Sequence, residues 1–190
     1  MSWKFAGINL KKDYHGAYPD LLNKLGFEFH QSGEGFTFSD AIRRENQAIA
    51  LGFVNGSTMA LHHLLPYDCS YEPGEEGRLD GALEALSLEC DIMNYIIDGV
   101  SGTYCFSVFS GGKRIRRWAV EPGSVLCNEG KPVAGETATI TRNPSRDDSL
   151  PDIFAMSEDE AHIFAVWEDF IGVSFQELVQ SETDIFECFL

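Results

Sequence analysis

Five histidines, five cysteines, several adjacent carboxylates and one basic run are the side chains in this sequence with chemistry to offer. Their spacing restricts that chemistry sharply. His62 and His63 are neighbours on an expected strand, so their side chains point to opposite sides of a sheet and do not share a metal ion. His15, His30 and His162 are scattered. The cysteines at 69, 90, 105, 127 and 188 are odd in number and include no C-x-x-C pair, which indicates neither a disulfide framework nor a zinc ribbon. Cys105 lies in the apolar run YCFSVF and reads as a buried, inert thiol. Cys69 sits among carboxylates that raise its pKa. Dinucleotide-binding, P-loop, H-E-x-x-H and G-x-S-x-G patterns are missing, and Gly111-Gly112 precedes a strand, not a phosphate-holding helix N-terminus. No catalytic residue, metal or cofactor is assigned.

Carboxylates are plentiful as Glu75-Glu76, Asp147-Asp148, Glu158-Asp159-Glu160 and Glu168-Asp169. General acid–base work needs two carboxyls in different environments across a substrate, whereas these fall in a loop, a helix start and a helix polar face. Glu168 and Asp169 lie near the negative end of their helix, a mild local cost compatible with a binding role. The basic run is KRIRRW at 113–118. Strand alternation places Arg114, Arg116 and Trp118 on one face, with Ile115 and Arg117 on the other. Arginine and tryptophan favour interface hot spots. The alternative is that these arginines pair with carboxylates of the same chain.

The elements that must carry these residues are short and mixed. Trp3–Leu10 reads as a strand and Tyr18–Leu25 as a helix, with Pro19 in its first turn and Gly26 after its end. Phe27–Phe29 suggests a strand, and Ser39-Asp40 a cap for a helical turn through Arg44. Gln47–Val54 and Ser57–Leu65 form a hairpin around Asn55-Gly56, a pair that tolerates positive φ. An acidic loop, Pro66–Gly77, precedes an amphipathic helix over Leu79–Leu88. Strands follow in ECDIMNYIID, GTYCFSVFS and KRIRRWAVE, the last two joined through Ser110-Gly111-Gly112. Pro122-Gly123 is expected to end this meander. Asn128–Arg146 reads as a loop with a short strand near Ala138–Thr141, and 143–151 as its most flexible part. A helix spans Glu158–Ile171, with Ser157 and Glu160 as a capping box and Gly172 as its terminator. Its broad apolar face asks for a sheet to pack against. Ser174 with Glu177 caps a last short helix, and Asp184–Leu190 finishes as a strand. Hairpins and helices without a βαβ rhythm indicate one α+β domain over 1–190, a mainly antiparallel sheet packed by the late helix and shorter ones.

The chain has 190 residues and a formal net charge of −16. Residues 65–112 hold one basic side chain against nine acidic, 113–146 hold seven against three, and twelve carboxylates without a Lys or Arg follow Arg146. Such a field disfavours nucleic acid and anionic membranes as partners and favours a basic protein, or serves only solubility. With neither a long apolar stretch nor a secretory pattern, the expected location is the cytoplasm.

GTYCFSVFSGGKRIRRW at 102–118, followed by Asn128-Glu129-Gly130-Lys131-Pro132 and Glu136, resembles uncharacterised bacterial proteins with a strand, a short turn, G-K-x-x-R and an E-G-x-P loop. WEDFIG and VSFQEL at 167–178 are similar to their closing helices. The resemblance covers roughly the second half of the chain, and some such proteins are regarded as immunity proteins against secreted toxins. It implies no catalytic residue. The expected function is a non-enzymatic acidic protein-binding module, with an immunity-type inhibitor of a basic toxin as its specific form. Its candidate contacts are Glu72, Glu75, Glu76, Glu158, Asp159, Glu168 and Asp169, with Arg114, Arg116 and Trp118 from the basic run. The alternatives are a self-associating domain that forms a homodimer through apolar strands such as IFECFL, and an unrecognised hydrolase.

Overall fold

The apolar runs pair into one nine-stranded, wholly antiparallel sheet, seen in a computed structural model that describes residues 3–28, 31–43, 48–62, 65, 71, 75–136, 157–183 and 185–189. Its strands are β1 (Lys4–Leu10), β2 (Gln31–Phe36), β3 (Ile49–Val54), β4 (Ser57–Leu61), β5 (Ile92–Asp98), β6 (Thr103–Ser110), β7 (Lys113–Glu121), β8 (Ser124–Gly130) and β9 (Phe186–Phe189). Helices α1 (Tyr18–Lys24), α2 (Phe38–Arg43), α3 (Asp80–Leu86), α4 (Glu158–Ile171) and α5 (Phe175–Gln180) accompany them, with a further helical turn at 134–136. The spatial order is β2-β9-β3-β4-β1-β5-β6-β7-β8.

Both faces of the sheet are buried. One carries Phe5, Met59, Leu61, Met93, Tyr95, Phe106 and Trp118 in a common core with residues of α2, α4 and α5. The opposite face carries Ile8, Leu10, Leu51, Ala60, Ile92, Phe109 and Phe189, packed with α1 and α3. This explains why β5 and β6 are apolar almost throughout: alternation is sharp only where one face of a sheet meets water. The broad apolar side of α4 finds its sheet, and Ile163, Phe164, Val166, Trp167, Phe170 and Ile171 are all buried.

Local signals set the connections. Asn55 (φ 46°) and Gly56 (φ 81°) form the β3–β4 turn, and Gly111 and Gly112, both at positive φ, form the β6–β7 turn. Ser157 Oγ accepts from the Glu160 N–H and Gly172 ends α4 in the left-handed region. Ser174 and Glu177 make a complete capping box for α5.

Three local expectations are corrected. Pro122-Gly123 does not end the meander. Glu121 pairs with Ser124 across it, and proline followed by a glycine at positive φ is a turn that returns the chain as β8, so Asn128–Gly130 are strand and not loop. Thr37, not Ser39, caps α2: its hydroxyl accepts from the Asp40 N–H at 3.1 Å and donates to the Asp40 carboxylate at 2.7 Å. Phe27 and Glu28 are not in a strand, Phe29 lies outside the described residues, and a strand runs over Gln31–Phe36. Glu72, most of the acidic loop, the strand expected at Ala138–Thr141 and the 143–151 stretch lie outside the described residues.

Candidate functional site

The basic run lies on β7, and a β-bulge decides which way each cation points. Val108 pairs with Arg116 and Phe109 with Arg114, so Ile115 is the extra residue. That one-residue insertion moves Arg114 to the face opposite the one simple alternation assigns it. Arg116 and Trp118 remain on the α4 side, and Arg114 and Arg117 on the α3 side.

Each arginine meets a carboxylate of its own chain. Arg114 Nη1 lies 2.9 Å from Asp80 Oδ2, at the start of α3. Arg117 donates through Nη2 to Glu129 Oε2 at 2.7 Å and through Nη1 to the Glu75 carbonyl at 3.5 Å. Arg116 is the most fully engaged: Nε and Nη2 grip the two Glu136 oxygens at 2.7 and 2.6 Å, and Nη1 donates to Asn128 Oδ1 at 2.7 Å and to the Glu129 carbonyl at 2.9 Å. His162 of α4 completes this group, its Nε2 lying 3.5 Å from Glu136 Oε2 and its ring 4.6 Å from that of Trp118. Burial pushes the Glu136 carboxyl upward, but the adjacent His162 imidazole, hydrogen bonds from Arg116 and the Val133 N–H, and the Arg116 charge outweigh it and hold the group at about 2.

Arg116 is 3% exposed and Trp118 7%. The two residues therefore belong to the interior, where they fasten the helical turn at 134–136 and α4 to the sheet, and they present no surface to a partner. Arg114 is partly exposed but held by Asp80.

A polar row missed in the sequence crosses the opposite face of the same strands. Asn94, Ser107, Arg117 and Glu129 pair consecutively across β5, β6, β7 and β8. Asn94 Nδ2 donates to the Tyr71 hydroxyl at 2.9 Å. The next row runs through Ala6, Ile96, Cys105, Ala119 and Cys127. The only trace in the sequence is one polar residue inside each of two apolar strands, IMNYII and CFSVF.

The acidic candidates do not form one patch. Glu158 and Asp159 are exposed at the start of α4, on one side of the sheet, while exposed Glu75 and Glu76 lie on the other, against Arg117. Asp169 is exposed near the end of α4. Glu168 has a local duty: its Oε1 accepts from the Phe175 N–H at 2.9 Å. The carboxylate that is unfavourable at the end of α4 thus meets the positive start of α5, which removes the reason to give it a binding role.

Burial pushes the Cys105 thiol up to about 12. Among the described residues no three of His, Cys, Asp or Glu come together in a way that would hold a metal ion. No described helix is long and apolar enough to cross a membrane. No family model, curated protein or solved structure matches the chain.

Proposed function

We propose that this chain is a non-enzymatic, acidic protein-binding module that engages a basic partner, in the manner of an immunity-type inhibitor covering a toxin. The observation that carries this reading is the disposition of charge. Lys4, Lys12, Lys24, Arg114, Arg116 and Arg117 are all drawn into ion pairs with Asp98, Glu89, Asp80, Glu136 and Glu129 of the same chain. Glu75, Glu76, Glu158, Asp159 and Asp169 are exposed and join no ion pair among the described residues. These six cations help hold the fold together, while the carboxylates named above face solvent together with Lys11, Arg43, Lys113 and Lys131. Such a surface raises the encounter rate with a positively charged protein and repels polyanions.

The self-association reading loses the strand it relied on. β9 is hydrogen-bonded to β2 on one side and β3 on the other, and Phe186, Cys188 and Phe189 are buried within the chain's own sheet.

The test is affinity capture of the tagged protein at low and high salt, with mass spectrometry of what is retained and re-binding of each purified candidate. A single basic protein, released by salt and bound at least about tenfold more slowly by Glu158→Lys/Asp159→Lys or Glu75→Lys/Glu76→Lys, is the expected result. A partner that is acidic or indifferent to salt and to both charge reversals would overturn the reading.

A further inference from the structure

The reading above leaves open where a partner docks, and β8 supplies the place. It is one end of the sheet order and pairs only with β7, so the backbone groups along its outer side have no strand neighbour among the described residues. Exposed edges of this kind invite pairing and are commonly blunted with lysine, proline or an inward charge. Within Ser124–Gly130 there is no lysine, arginine or proline, and its single charge, Glu129, is tied to Arg117.

A bulge sharpens the point. Val120 pairs with Val125 and Ala119 with Cys127, which makes Leu126 the extra residue. Alternation would turn one of two consecutive residues inward, yet Val125 is 63% exposed and Leu126 42%. A bulge at a sheet edge re-aims a side chain, and here it sets two apolar groups outward side by side. From Cys127 to Glu129 the ladder with β7 is regular again, so the adjoining edge is straight up to Gly130, whose backbone is left-handed. Ile115, also exposed, lies next to Gly130. The opposite edge, β2, is a poorer template because its ladder with β9 breaks between Gln31 and Gly35.

The surroundings select the occupant. The Glu75 carbonyl accepts from Arg117 beside Glu129, and the exposed carboxylates Glu75, Glu76, Glu121 and Glu129 outweigh the exposed Lys131 that follows β8. We infer that the outer edge of β8 accepts an extended, lysine-bearing segment of the partner as a tenth strand. Backbone pairing runs along Cys127–Glu129, Val125 and Leu126 serve as apolar anchors, and Glu75, Glu76 and Glu121 meet its cations. A second copy of the chain is a worse fit: each copy carries a net charge of −16, and antiparallel self-pairing centred on Cys127 sets Val125 opposite Glu129. This inference rests on the acidic-binder reading and adds the location and the mode of docking.

The probe is an acetylated, amidated octapeptide of alternating lysine and valine. It is titrated into the full chain, with amide hydrogen exchange read residue by residue and sedimentation run in parallel. The expected result is protection of the β8 amides by at least about tenfold, with Leu126→Lys weakening binding by a similar factor and a change at the exposed, uninvolved Glu182, Glu182→Gln, leaving it unchanged. Leu126 is exposed, so its replacement leaves the core intact, and unchanged thermal melting checks this. Binding with protection at the start of α4 and none on β8 would overturn the edge inference while leaving the acidic-binder reading standing. No binding at low salt would likewise overturn the edge inference, while the capture experiment judges the broader reading independently. Self-association abolished by Leu126→Lys would give the edge to a second copy and refute the inference.

Discussion

Replacing Glu136 by glutamine keeps the shape of the side chain but removes the charge that Arg116 grips with two nitrogens and turns one of the two accepting oxygens into an NH2 donor. A carboxyl held at about 2 against an ordinary value of 4.5 corresponds to about 3 kcal/mol, at 1.36 kcal/mol for each unit of pKa. An independent figure comes from single deletions in buried ion pairs, which cost about 3–5 kcal/mol because the remaining charge stays buried. Asn128 Oδ1 and the Glu129 carbonyl still accept from Arg116, so the lower end, about 3 kcal/mol at pH 7, is expected. The assay is urea unfolding followed by tryptophan fluorescence, with Trp118 and Trp167 both buried reporters. The sign with pH follows from the direction of the shift. A depressed carboxyl contributes stability that is fully present above its unfolded value and is lost as pH falls through the folded one, so wild type weakens between about pH 5 and 2. Glu160, whose carboxyl burial raises, runs the other way, and the difference between wild type and Glu136→Gln cancels it. The double change Arg116→Met/Glu136→Leu is expected to recover most of the loss. A cost below about 1 kcal/mol for Glu136→Gln, or an unchanged acid slope, would refute this account of the pair.

Asn55→Gly suits the turn backbone yet is expected to destabilise by about 1–2 kcal/mol, because the Asn55 side chain donates to the carbonyls of Ile171 and Gly172 and so caps α4 from the β3–β4 turn. A gain in urea midpoint would contradict that. Gly130→Ala is expected to cost about 3 kcal/mol or more by the same assay, since a Cβ there collides with the Ile115 carbonyl oxygen in a left-handed backbone (φ 85°). In the native protein Cys105 is expected to resist iodoacetamide at pH 8 and to label only after denaturation, by peptide mass spectrometry; labelling within minutes would show that the strand opens readily.

Where one short stretch of sequence contains both partners of an interaction, the structure was legible in advance. Asn55-Gly56, Ser174 with Glu177, and the apolar stripe of α4 closed by Gly172 each specify a turn, a cap or a face without reference to distant residues. The misreadings share a different cause. Whether Arg114 faces α3 or α4 depends on a single extra residue in the β6–β7 ladder, and periodicity within KRIRRW carries no sign of it. The row Asn94–Ser107–Arg117–Glu129 exists only once four strands have taken their register. Glu168 looked misplaced at the end of α4 because the start of α5, which it serves, is set by a turn in space. The choice between internal pairing and an exposed hot spot for the arginines was a question about long-range partners, and Asp80 and Glu136 lie 34 and 20 residues away from theirs.

The placement of β9 between β2 and β3 has a consequence for how the chain assembles. Ile49–Gly52 of β3 pairs with Phe186–Phe189, a separation of well over a hundred residues, whereas β5 to β8 join through tight hairpins. Local hairpins close quickly, and long-range pairings are slow because loop-closure entropy is lost before any contact is made. During synthesis, therefore, β3 has an apolar strand with one unclaimed side until the last part of the described chain has emerged. The four-residue β9 acts as a keystone: the hairpin meander can form ahead of it, while β2 gains its one strand neighbour among the described residues when it arrives.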